Sequence, residues 1–228
     1  MDLLHLLTRV PLPGVERCRI PADLDAVTSI GEEDPGASDA PAAEIEGLWR
    51  HAVDIYRTGL HPALQLCIRR DGAVVLNRSI GHARGNAPQD PSDAVKVPAT
   101  VDTPFDIFSA SKAITAMVIH KLDEEHVLHL EDRVCDFIPE FGRHGKHRIT
   151  LRHLLAHKAG IPNLPPESID LDLLAQPEKV VEILCDARPR TRPGRLLAYH
   201  AVTGGFVLGE VVRRVTGQDI RRVLEQRI

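Results

Sequence analysis

Ser109 and Lys112 stand three residues apart, where an extended apolar run gives way to a helical pattern. On a helix, residues i and i+3 share a face, so the Ser109 hydroxyl and the Lys112 amine can point into one pocket. A serine hydroxyl is a weak nucleophile until a base takes its proton. A partly desolvated lysine, its pKa lowered, can be that base. The first turn of a helix also presents free backbone N–H groups able to hold an oxyanion. The same spacing equally describes a helix N-cap serine beside a solvated lysine. Ser111 is the rival serine, but successive helix residues point about 100° apart, so the pairing favours Ser109.

Other residues could do chemistry, with less support. His153 and His157 are four apart on an expected helix, a spacing able to bind metal. The glutamate of a His-Glu-x-x-His motif is replaced by Leu154, and no third ligand is evident. A structural role for both imidazoles fits better. No Gly-x-Ser-x-Gly elbow occurs, which argues against an ordinary α/β-hydrolase. The four cysteines are widely spaced and form no Cys-x-x-Cys pair, so a zinc ribbon is not indicated. Cys67 and Cys135 lie in apolar patterns and read as buried thiols. Two basic stretches, 143–148 and 188–195, read as solvated loops, with too few aromatics for a single-strand nucleic-acid groove.

These residues need elements to hold them. Residues 1–43 read as an N-terminal arm and linker that packs loosely, with an acidic Pro/Gly-rich stretch over 31–41. Ala42 to Thr58 has helical spacing, with Ile45, Leu48, Trp49, Ala52, Val53 and Tyr56 on one face. Two apolar runs around Asp71-Gly72 predict a β-hairpin, and 82–102 reads as a loop. The helix opened by Ser109 carries a stripe of Ala110, Ile114, Met117, Val118 and Leu122. Short helices follow, including one capped by Thr150 and carrying His153 and His157. Pro177–Ala187, Thr203–Val215 and Asp219–Ile228 complete the helical half. Two strands do not make a stable sheet, so this reading is short of strands.

The chain has 228 residues, 43% hydrophobic and 26% charged, with a formal net charge of −4. That suits a globular protein and carries no basic footprint for nucleic acid. The N-terminus lacks the parts of a signal peptide, and no run reaches transmembrane length. A cytoplasmic location is the expectation. Nothing in the pattern sets an oligomeric state.

Phe105 to Ala116 resembles the Ser-x-x-Lys box of the beta-lactamase-related serine hydrolases. That superfamily includes class C beta-lactamases, DD-peptidases and the family VIII esterase/lipase branch. Leu128 to Val134 resembles its L-x-L-D-D-P-V segment, and Ile149 to Pro162 its I-T-L-R-H-L-L-T-H-T-S-G-L-P segment. Pro193-Gly194, Tyr199, Gly204 to Val212 and Val215-Thr216-Gly217 resemble the segment bearing its Tyr-x-Asn motif. The likeness runs in order from about residue 44 to 228.

The resemblance implies an α+β, beta-lactamase/transpeptidase-like fold: an antiparallel sheet flanked by helices, an all-helical lobe, and the site between them. It implies one incomplete domain over 44–228, with 44–115 on the sheet side and 116–228 mainly helical. Ser109 would be acylated, Lys112 would accept its proton, and Tyr199 would shuttle that proton to the leaving group. The Ser109 N–H would form half of the oxyanion hole, Phe108 and Ala201 are candidates for the pocket wall, and no metal or organic cofactor is implied. Ala201 stands where the motif has Asn, which favours a small-molecule ester over a lactam. A third motif and later sheet strands are expected beyond Ile228. Two alternatives remain: a catalytically impaired homologue acting as a binding protein, and beta-lactamase or DD-peptidase activity.

Overall fold

The computed structural model describes residues 14–168 and 170–228, and the chain divides into two compact units at Phe105–Asp106. The division falls before 115/116, so the helix that follows Ser109 belongs whole to the second unit.

Among the described residues, the first unit is a small antiparallel sheet with one α-helix. Strands β1 (Thr28–Ile30), β2 (Ala63–Arg70), β3 (Ala73–Arg84) and β4 (Val97–Pro98) are joined by helix α1 (Ala42–Arg57) between β1 and β2. The β2–β3 hairpin turns at Asp71-Gly72, both with positive φ (51° and 86°), the backbone a two-residue hairpin turn requires. Long β3 pairs with β2 along one edge, and with β1 and β4 along the other. These short strands supply the pairing that the hairpin by itself lacks. They also correct two expectations: β4 lies within the stretch read as a loop, and β1 within the arm read as loosely packed. The acidic stretch is tied down too. Glu33 accepts from the Asn77 N–H at 2.8 Å and from Arg78 Nη2 at 2.6 Å. Residues 1–13 of that arm lie outside the described residues.

Helix α1 buries Ile45, Trp49 and Tyr56 against Val75, Leu76 and Ile80 of β3. Leu48, expected on that face, is exposed. The sheet approaches α1 closely at Gly81 (φ 103°), where a Cβ would collide with the Pro62 carbonyl and the Tyr56 ring. Cys67 is exposed and Cys135 only half-buried, contrary to expectation; the buried thiols are Cys18 and Cys185. Strand alternation is the reason for Cys67, which falls on the exposed side of β2 with Gln65.

The second unit is helical, as expected. It opens with a 3-10 turn (Phe108–Ala110) running into α2 (Ser111–Glu124). Then come α3 (Val134–Phe137), a 3-10 segment over Pro139–Arg148, α4 (Leu151–Leu155), α5 (Pro177–Asp186), α6 (Thr203–Thr216) and α7 (Ile220–Arg227). Helix α6 is central: Val207, Val211 and Val212 are fully buried in one core with Leu122, Leu154 and Leu184. Each such side chain contributes roughly 1.5–3 kcal/mol by leaving water. Gly217, left-handed at φ 72°, closes α6. The buried stripe of α2 is Val118, Ile119 and Leu122, whereas Ala110 and Met117 face outward. The stretch 143–148 is not wholly solvated, because Lys146 is fully buried.

Candidate active site

Ser109, Lys112 and Tyr199 all belong to the second unit. Ser109 is the middle residue of the 3-10 turn, two residues before α2 begins at Ser111. Asp106 holds the turn by accepting the Phe108 N–H at 2.9 Å, and the Ala110 N–H reaches Ile107 O at 2.9 Å. Phe108 has φ 43°, a left-handed backbone that costs a bulky residue about 1–2 kcal/mol. The outlier immediately precedes the serine and turns the chain sharply at that point. Ser109 lies in the first turn, where its N–H has no intrahelical carbonyl to bond.

Lys112 Nζ donates to Ser109 Oγ at 3.2 Å. The Tyr199 hydroxyl donates to the same oxygen at 2.7 Å from a residue 90 positions along the chain. The lysine ammonium also lies 5.0 Å from the centroid of the Tyr199 ring, within range of a cation–π attraction. The Tyr199 phenol is held below its ordinary pKa of 10, first by its hydrogen bond to Ser109 and then by Lys112. A positive charge and polar partners both favour the phenolate.

Tyr199 lies in no helix or strand, so other contacts must place it. Two imidazoles do so. The Ala198 N–H donates to His157 O at 2.9 Å, and the His200 N–H donates to His157 Nδ1 at 3.1 Å. His200 is buried: its Nε2 accepts the Ile161 N–H at 3.2 Å and its Nδ1–H donates to Ala198 O at 2.5 Å. The two roles require a neutral ring protonated at Nδ1. Burial holds the His200 pKa below 6.5, and burial followed by the nearby Lys112 charge does the same for His157. The His157 ring also packs on Tyr199, with centroids 4.9 Å apart.

The metal reading of the histidines fails on geometry. Helix α4 ends at Leu155, and His157 lies beyond it with φ 57°. His153 turns its Nδ1 to the Thr150 cap at 3.2 Å. Among the described residues, no group of His, Cys, Asp and Glu could hold a metal. The positioning roles of His157 and His200 had no signal in the spacing. Each depends on the segments 157–161 and 198–203 lying side by side.

The two pocket candidates go to different places. Phe108 is 78% exposed beside Ser109. Ala201 lines a groove of about 720 Å³ with Val202, Phe206, Gly209 and Ile220. A much smaller cavity, about 60 Å³, lies against Lys112, His157 and His200.

The beta-lactamase family profile matches residues 50–228. The chain is similar to the esterase/beta-lactamase LipL of Mycobacterium tuberculosis, at 34% identity over 137 residues covering 58% of this chain and 30% of LipL. Among solved structures it resembles a penicillin-binding protein homologue from Caulobacter crescentus, with TM-score 0.71 and 26% identity over 88% of this chain and 50% of that one. It also resembles a family VIII carboxylesterase, with TM-score 0.68 and 28% identity over 81% of this chain and 48% of the esterase. The chain therefore spans under a third of LipL and no more than half of either solved relative.

Proposed function

The chain belongs to the beta-lactamase family, and we propose that it serves as a serine hydrolase that cleaves carboxylic esters through an acyl-enzyme on Ser109. The reading rests on one observation: Ser109 Oγ is the shared acceptor of Lys112 Nζ and the Tyr199 hydroxyl. A serine used only as a helix cap has no need of two titratable partners.

In this reading the Ser109 oxygen attacks the ester carbonyl carbon, and its proton passes to the Lys112–Tyr199 pair. The carbonyl oxygen gains the negative charge and takes the Ser109 N–H as one donor. The carbon–oxygen bond to the alcohol then breaks, and Tyr199 returns the proton to the departing oxygen. Water attacks the acyl-enzyme with the same groups acting as base, which frees the acid and restores Ser109. Lowering of the phenol pKa suits this role, because a shuttle works best when its pKa approaches the working pH.

Ester is favoured over lactam because Ala201 carries only a methyl group where an Asn amide would meet a lactam amide. The family VIII carboxylesterase supports the same choice by name, whereas the name of LipL covers both activities. The experiment is turnover of p-nitrophenyl butyrate and labelling by a fluorophosphonate probe, in the native chain and in Ser109→Ala. Loss of both in the variant is expected, and labelling that survives the substitution rejects the assignment. Nitrocefin hydrolysis faster than ester hydrolysis would transfer the reading to lactams.

A further inference from the structure

Many arginines in this chain are ion-paired to a carboxylate. Arg57 pairs with Asp54, Arg133 with Asp136, Arg213 and Arg214 with Glu210, and Arg222 with Glu225. One face of the second unit gathers several arginines that are not so paired. Arg143, Arg148, Arg188, Arg190 and Arg192 are exposed, and none forms an ion pair among the described residues. They line two grooves of about 810 and 800 Å³ that share Arg190. Lys179 adds a sixth cation, and only Glu182 and Asp186 line either groove with opposite charge. Asp186 is partnered by His144 Nε2 at 3.1 Å. The face is therefore strongly positive in a chain whose net charge is −4.

The face is also built rather than incidental. Its arginines come from two loops, 143–148 and 188–192, about 40 residues apart in sequence. Lys146, fully buried, joins them by donating to Cys185 O at 2.9 Å and to Ala187 O. Burying an ammonium is costly unless it is well partnered, and here its partners are the carbonyls that lead into the second loop. That loop is pinned at two further points, Arg190 N–H to Gly160 O at 2.8 Å and Gly194 N–H to Lys158 O at 2.9 Å. Gly160 (φ 81°) permits the approach, since a Cβ there would strike the Thr191 carbonyl. The guanidinium groups thus project from a fixed backbone.

We propose that this arginine-lined face is a binding site for a ligand carrying two or more phosphoryl groups, distinct from the Ser109 site. Guanidinium groups bind phosphate oxygens in bidentate fashion, and unpaired ones lose no carboxylate partner on doing so. Two contiguous grooves suit a ligand with several phosphoryl groups better than a single anion. The phosphoryl groups can belong to a free oligophosphate or to phospholipid headgroups.

The test is calorimetric titration of the full chain with inorganic tripolyphosphate at about 0.15 M salt, where long-range attraction is screened. Flotation with vesicles containing about 30% phosphatidylglycerol runs in parallel. The variant Arg143→Gln/Arg190→Gln/Arg192→Gln is compared with Arg57→Gln/Arg221→Gln/Arg222→Gln, which removes the same charge from paired arginines. Saturable tripolyphosphate binding is expected, weakened about tenfold or more by the first variant and little changed by the second. Vesicle binding alone, lost in the first variant only, supports the site with lipid as its source. Binding of neither probe, or equal loss in both variants, overturns it. Ester turnover is expected to be unchanged in both, so this outcome is separable from the fate of the Ser109 assignment.

Discussion

Two polar clusters, one in each unit, use their charges in opposite ways. In the sheet unit, Arg78 is 8% exposed and lies between Glu33 and Glu46, 5.8 Å from the Trp49 ring centroid. Its guanidinium donates to both carboxylates, and Glu33 also takes the Asn77 N–H. Its capacity is largely used, and the two carboxylates hold the arginine pKa even further above its ordinary value. In the helical unit, Ser109 and Tyr199 are exposed, and two donors converge on one hydroxyl oxygen. A closed, satisfied cluster fixes structure. An open cluster whose protons can be rearranged is suited to chemistry.

The sharpest break of that contrast is Ser109→Ala. Ester turnover is expected to fall by about 10³-fold or more, with the urea midpoint unchanged, because an exposed hydroxyl contributes little to folding. Tyr199→Phe comes next. It keeps the ring packing on His157 but removes the hydroxyl proposed to carry the proton, so kcat should drop by about 10²-fold or more. The limb of the pH–rate profile that belongs to the phenol, displaced below 10 in the native chain, should vanish with it. A Tyr199→Phe enzyme with native kcat would remove tyrosine from the mechanism.

The closed cluster should respond in stability instead. Arg78→Met strands Glu33, whose side chain is only 10% exposed. Removing one partner of a buried pair costs about 3 kcal/mol, discounted here because Glu46 is nearly half exposed. Urea denaturation reads the loss. Where the variant remains folded, turnover per folded molecule should be native.

The smallest effect concerns pH. His200 is neutral and its pKa is depressed by burial, so the unfolded chain binds the extra proton more readily. Its contribution to stability is complete above the unfolded value of about 6.5 and is lost as pH falls through the lower folded value. Protonation would also block acceptance of the Ile161 N–H. The thermal midpoint should therefore fall from about pH 7.5 to about pH 5.5, and fall less in His200→Gln. An equal decline in both would assign the acid sensitivity to other groups.

What could be read without coordinates was local. The Asp71-Gly72 hairpin, the Thr150 cap and the proximity of Ser109 to Lys112 each depend on a few consecutive residues and on fixed backbone periodicity. Tyr199 was reachable only through resemblance to a family, because nothing in its own neighbourhood points to a serine 90 residues away. The remainder was decided by packing between distant segments. Strand β1 forms because residues 28–30 find the free edge of β3, although their short length gave no strand signal. Cys67 is exposed because register, not composition, selects the face of β2. Lys146 reads as one more solvated cation until its ammonium meets the carbonyls of Cys185 and Ala187. The same contact turns two ordinary basic loops into one unpaired arginine face. A sequence specifies local conformation through steric periods of two to four residues. Which charges end up paired, buried or left free depends on loop closures spanning tens of residues, and only the tertiary fold settles those.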